Sequence, residues 1–182
     1  MKLKRIVAIL ILVFIAYFGV VALIKNYIYP YKYDEYINKY SDEYEIDPYL
    51  VLAVMKTESN FNKEAVSKKN AKGLMQIMDE TGEWIAKEME INYFTPSMLF
   101  DPELNIRMGC WYIKNLEEEF DGNSDLVLAA YNGGSGNVNK WLSDEEYSED
   151  GENLSYIPFP ETKKYVDKVK TSYSIYKYLY SK

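Results

Sequence analysis

The sequence predicts a mainly α protein: one N-terminal transmembrane helix followed by a single helical domain. Three observations carry that reading. Residues 6–24 form an uncharged apolar run, and nineteen residues rise about 28 Å as a helix, close to the roughly 30 Å hydrocarbon core of a bilayer. Beyond it, apolar residues recur at three- and four-residue spacing in stretches that open on capping residues. No stretch alternates in the manner of a half-buried strand. At 182 residues, 48% of them hydrophobic, the chain is long enough for one core plus appendages.

Residues 1–26 read as a cytoplasmic tip and a membrane anchor. Lys2, Lys4 and Arg5 precede the run and Lys25 follows it, so the N-terminus stays in the cytoplasm and the rest is exported, single-pass, at the cell membrane. The run ends in Leu23-Ile24-Lys25-Asn26-Tyr27 without a small-x-small site, which favours an uncleaved anchor over a removed signal. The only cysteine, Cys110, lies far from this segment, which excludes a lipoprotein and any internal disulfide; flanked by Gly109 and Trp111, it reads as a small buried apolar residue.

Residues 27–43 are tyrosine-rich and read as a juxtamembrane stalk or a first helix, since Tyr33, Tyr36, Ile37 and Tyr40 keep helical spacing. The main helical domain is expected over 44–182. Asp47 and Pro48 open a helix that runs to about Thr57, and Asn60-Phe61-Asn62 breaks it. Residues 63–72 are polar and loop-like. A second apolar helix is expected from Leu74 to Met89, with a bend near Gly82. After a loop over 92–102, Asp101-Pro102 caps a helix through Phe120, with Leu104, Met108, Trp111, Tyr112 and Leu116 on one side. Asp121-Gly122-Asn123 turns the chain. A helix over 124–131 stops at Asn132-Gly133-Gly134, Val138–Leu142 is a short helix, and 143–155 is an acidic surface loop. A last helix covers 160–180 with Tyr165, Val169, Tyr173 and Tyr176 in register.

One residue violates this pattern. Glu58 falls on the stripe set by Val51, Val54 and Met55. It is a carboxylate frayed into solvent, a buried acid with a structural partner, or a tuned acid. Burial raises a carboxyl pKa, and so does the negative end of a helix. An acid kept protonated near neutral pH can donate a proton to a leaving group.

The neighbourhood decides between these readings. Glu58-Ser59-x-Phe61-Asn62, Ala65-x-Ser67 and Gly73-Leu74-Met75-Gln76-Ile77-Met78-x-x-Thr81 resemble the signature of the family 1 lytic transglycosylases. Ala129-Ala130-Tyr131-Asn132-Gly133-Gly134-x-Gly136-x-Val138 resembles that family's second motif. Ile157-Pro158-Phe159-x-Glu161-Thr162-x-x-Tyr165-Val166 resembles its third. Two positions depart: Asn70 stands where the family usually has glycine, and Asp79 replaces a common proline.

The resemblance implies a lysozyme-like helical fold of the goose type, with a cleft for peptidoglycan glycan strands. It implies cleavage of the β-1,4 bond between N-acetylmuramic acid and N-acetylglucosamine without water, the muramyl C6 hydroxyl attacking C1 to leave a 1,6-anhydro end. Glu58 then matches the single catalytic acid and base. Ser67, Met75, Gln76, Tyr131, Asn132 and Glu161 match substrate-binding positions. Core packing competes for Met75, a loop role for Ser67, and an ion pair with Lys163 or Lys164 for Glu161. Asp79, Glu80 and Glu83 read as surface charges. A hydrolytic muramidase of the same fold and an inactive wall-binding or assembly module are the alternatives.

Composition narrows the partners. With no histidine, histidine triads and histidine metal sites are excluded; no metal and no cofactor are expected. The net charge is −7, and removing the four positives of residues 1–25 leaves −11 on the exported part. Such a surface repels nucleic acid and anionic lipid. The expected partners are glycan strands, and the membrane through residues 6–24.

Overall fold

The computed structural model describes residues 2–181, and of Lys2 the backbone only. Met1 and Lys182, the outermost residues of the expected segments 1–26 and 44–182, lie outside the described residues. The chain divides into a unit up to Lys32 and a unit from Tyr33 onward. The first is one helix, α1 (Lys2–Leu23), continued by a π-helical turn over Ile24–Ile28. It is long and apolar enough to cross a membrane.

The second unit is helical throughout, with pairing among the described residues confined to two single-residue bridges, Val66 with Lys72 and Lys72 with Ile77. Its helices are α2 (Asp34–Glu43), α3 (Pro48–Glu58), α4 (Asp79–Glu88), α5 (Pro102–Glu119), α6 (Ser124–Gly133), α7 (Ser135–Leu142) and α8 (Pro160–Tyr180). Of the two readings of 27–43, residues 34–43 are helix. Ile37 and Tyr40 of α2 are buried, and the Tyr40 hydroxyl donates to Glu103 of α5 at 2.8 Å.

Caps start the helices where the sequence puts them. Asp47 accepts from the Tyr49 N–H at 2.9 Å and Asp101 from the Leu104 N–H at 2.8 Å, each beside a proline in the first turn. Asp47 also accepts from the Tyr173 hydroxyl at 2.7 Å, which fixes the start of α3 against α8. Between them lies a core of Val51, Leu52, Val54, Met55, Val169 and Tyr176.

The helix expected over 74–89 is a correction. Only Asp79–Glu88 is helical, and it passes Gly82 without a break. Leu74–Met78 forms a tight turn in which Lys72 and Ile77 exchange both backbone hydrogen bonds, at 2.9 and 3.1 Å. Gly73 and Gln76 have φ of +77° and +50°, a combination no α-helix contains. Leu74, Met75 and Ile77 are buried all the same, so their apolar spacing imitates a helical stripe. Smaller differences concern ends: α6 runs on to Gly133, α7 begins at Ser135, and the loop over 92–102 contains a 3₁₀ turn at Pro96–Phe100.

The two departures from the family pattern meet in space. Asn70, at φ +67°, donates from its amide to Asp79 at 2.8 Å, and Lys72 pairs with the other oxygen of the same carboxylate. Where glycine and proline shape the loop through backbone preference, here a side-chain bridge does so.

Candidate active site

The site is built around the end of α3. Glu58 is its last residue, and Asn60 and Phe61 follow with φ of +50° and +64°, turning the chain away. Ser59 donates its hydroxyl to the Leu74 carbonyl at 2.7 Å, tying this end to the turn at 72–77. That turn is clamped from below by Asn105, a fully buried residue of α5. Its oxygen accepts from the Met75 N–H at 2.8 Å, and its nitrogen donates to Leu99 and Lys72 carbonyls at 2.8 and 3.1 Å. Gly73 has to be glycine: a Cβ there would stand 2.3 Å from the Leu99 carbonyl oxygen.

Glu58 is half-buried, and burial raises its carboxyl from an ordinary 4.5 to about 7. The Tyr165 hydroxyl pulls the other way, a smaller effect; it is buried and, among the described residues, stands without a hydrogen-bond partner. Tyr131 faces the same carboxyl. Its hydroxyl donates to the Met75 carbonyl at 2.9 Å, and burial first, then the Glu58 charge, holds its own pKa well above the ordinary value. A carboxyl that titrates near neutrality between two phenols that stay protonated can give up and retake a proton.

The other expected residues divide. Gln76 sits at the turn beside this group, but its amide nitrogen donates to the Ala65 and Gly73 carbonyls at 3.1 and 2.9 Å. Both hydrogens are thereby committed, and the side chain can enter a further hydrogen bond only as an acceptor. The Ser67 oxygen accepts the Lys69 and Ala71 N–H groups at 3.2 and 3.0 Å, so any further bond is one its hydroxyl donates. Asn132 is exposed at the end of α6 and accepts from the Thr162 hydroxyl at 3.0 Å, which brings the second and third motifs together. Glu161 is exposed in the first turn of α8, and Lys163, one of its expected ion-pair partners, pairs with Asp167 at 2.6 Å.

Met75 is a correction. Its side chain is fully buried, and a Cβ on Gly109 would come within 2.2 Å of its sulfur. It packs on α5 where that helix is bare, and only its backbone carbonyl serves the site.

Three residues were not singled out for the site. Asn105 carries the same signal as Glu58, a polar side chain on a buried helical face. Tyr112 looks like core in the sequence, since nothing in its spacing distinguishes an aromatic that packs from one near an acid, whereas Tyr165 stands within the third motif, which was the signal that could have found it. Tyr112 packs on Tyr131 with ring centroids 5.3 Å apart. A separate hollow, lined by Asn123, Tyr156, Lys163 and Asp167, does not include Glu58.

Residues 35–154 match the Transglycosylase SLT domain family. The chain is similar to the soluble lytic murein transglycosylase of Escherichia coli (strain K12), 34% identical over 152 residues that make up 82% of this chain and 24% of that one. It is also similar to the membrane-bound lytic murein transglycosylase C of Edwardsiella ictaluri (strain 93-146), 38% identical over 64% of this chain and 35% of that protein. Among solved structures, the 70 kDa soluble lytic transglycosylase of Escherichia coli superposes with a TM-score of 0.75 at 31% identity, covering 84% of this chain and 25% of that one. The same enzyme in complex with bulgecin A gives 0.75 over 85% and 25%. The chain thus spans between a quarter and about a third of the length of these relatives.

Proposed function

The chain belongs to the Transglycosylase SLT domain family, and from that premise we propose that it is a membrane-anchored lytic transglycosylase of peptidoglycan. Helix α1 spans the membrane with its N-terminus in the cytoplasm, and the unit from Tyr33 onward works outside. The observation that carries the reading is the half-buried Glu58, held near neutral pKa at the end of α3 between Tyr131 and Tyr165.

The reaction uses that one carboxyl twice. Protonated Glu58 gives its hydrogen to the oxygen that links C1 of N-acetylmuramic acid to the next N-acetylglucosamine, and the C1–oxygen bond breaks. The muramyl C6 oxygen bonds to C1, and its hydroxyl proton returns to the Glu58 carboxylate. Atoms balance without water, and the products are an N-acetylglucosamine end and a 1,6-anhydro-muramyl end. The attacking hydroxyl is already part of the substrate, so the step escapes most of the entropic cost of bringing in a second molecule. A second carboxylate, which ordinary glycosidases need to act on water or on the sugar, has no task in this scheme.

Tyr131 keeps its proton on the Met75 carbonyl and lends the site shape. Gln76 receives hydrogen bonds from the sugar, while Ser67 and the amide of Asn132 donate them. Glu161 orients groups about the muramyl ring. The net −11 outside the anchor leaves shape and hydrogen bonding, not charge, to hold the strand.

The test is a digest of purified glycan strands by the full chain in detergent, with products weighed. Muramyl products lighter by one water than their hydrolysed counterparts are expected from the native chain and none from Glu58→Gln. Products of full hydrolysed mass would turn the reading to a muramidase, and lysis that persists in Glu58→Gln would remove Glu58 from it.

A further inference from the structure

Beyond Tyr131 the aromatic contacts continue. Tyr112, 5.3 Å from Tyr131, lies 5.9 Å from Trp84 of α4, and Trp84 lies 5.4 Å from Trp111 of α5. Trp84 stands edge-on to both neighbours, at 80° and 66°, and yet is 41% exposed. A single exposed tryptophan is ordinary surface. This one is braced on two sides by aromatic rings, which fix its orientation, and it is joined through Tyr112 to the ring that faces Glu58.

We propose that Trp84 is a stacking platform for a sugar unit of the glycan strand remote from the bond that is cleaved. The inference rests on the lytic transglycosylase reading for the identity of the strand. The two ring contacts, 5.3 and 5.9 Å, tie Trp84 to Tyr131 over a span no longer than about two sugars of a β-1,4 chain. An indole face covers the C–H face of a pyranose ring without needing charge, which suits the neutral N-acetylglucosamine units of the strand on an acidic surface. Bracing by Trp111 and Tyr112 removes the cost of ordering the side chain at the moment of binding.

Long strands should therefore bind better than short ones, and Trp84 should be the reason. The experiment measures affinity of the full chain in detergent, carrying Glu58→Gln to prevent turnover, for peptide-free tetrasaccharide and octasaccharide strands of alternating N-acetylglucosamine and N-acetylmuramic acid. The octasaccharide is expected to bind about tenfold tighter, the scale of one well-seated aromatic anchor. Adding Trp84→Ala should collapse that ratio toward one, while Trp84→Tyr should keep most of it. Two of the chain's three tryptophans lie in this cluster, so the long strand should also shift the tryptophan emission more than the short one. Trp84→Gln, which keeps a longer side chain than alanine but no ring face, carries the same expectation should the alanine variant not fold. A parent that binds both lengths equally, or a ratio that survives both Trp84→Ala and Trp84→Gln, overturns the platform. Products light by one water from the native chain test the chemistry separately, so failure of the platform and failure of the lyase reading are told apart.

Discussion

Replacing Glu58 with glutamine should make the protein more stable, and more so as pH rises. Burial lifts the Glu58 carboxyl to about 7 in the folded chain against 4.5 for an unperturbed group. The folded state thus favours the protonated form and pays nothing for it below pH 4.5. Above that value the unfolded chain ionises freely while the folded one resists, and stability drains away until the folded pKa is passed. Glutamine has the shape of the protonated acid and never ionises, so the difference between the two proteins isolates this one group. A shift of that size corresponds to about 3 kcal/mol in full. The advantage of Glu58→Gln should grow from about 1 kcal/mol at pH 5 to about 3 kcal/mol at pH 8. For a unit of this length that is roughly a 10 °C difference in Tm at the higher pH. Thermal melts of the full chain and the variant in detergent, followed by circular dichroism at half-unit pH steps, measure it. A Tm difference that stays flat between pH 5 and pH 8, or one that narrows as pH rises, would refute the claim that burial tunes this acid.

Activity should show the same group from the other side: kcat/KM should fall about tenfold per pH unit above about 7, because only protonated Glu58 can donate, and a profile level to pH 9 would contradict that. Gly73→Ala should cost more than about 2 kcal/mol in urea denaturation, since the new Cβ meets the Leu99 carbonyl at 2.3 Å and φ there is +77°. Asn105→Ala should cost about 3 kcal/mol or more by stranding the buried Met75 N–H and two carbonyls, and should depress turnover along with stability. In a double-mutant cycle, Asn70→Ala and Asp79→Ala should couple by under about 1 kcal/mol, and strict additivity would mean that the bridge between them is idle.

The helices were legible because their signals are local. Asp47-Pro48 and Asp101-Pro102 are caps that work within four residues, and the stripes of α3 and α8 bury the faces their spacing predicts, whereas α5 buries Asn105, Ile106 and Ile113 with Met108 and Leu116 and leaves the expected Leu104, Trp111 and Tyr112 half-buried. The turn at 72–77 was not legible. Its apolar residues sit at helical intervals, and what forbids a helix is the left-handed backbone at Gly73 and Gln76, held by Asn105 from thirty residues away. The site shows the same division. Glu58 could be found because an acid on an apolar stripe is anomalous in one dimension. The fate of Met75 could not, because it depends on the missing side chain of Gly109 on another helix. Nor could the exhaustion of Gln76's donors, since Ala65 and Gly73 approach it only in the folded chain.

Asn105 gathers the peptide groups of Lys72, Met75 and Leu99 onto one amide, so the segments that carry them cannot breathe independently. The Met75 amide hydrogen should be among the slowest in the molecule to exchange with deuterium, released only when the whole unit opens. Any adjustment needed for the proposed reaction must then come from elsewhere, with this turn as the part that stays fixed.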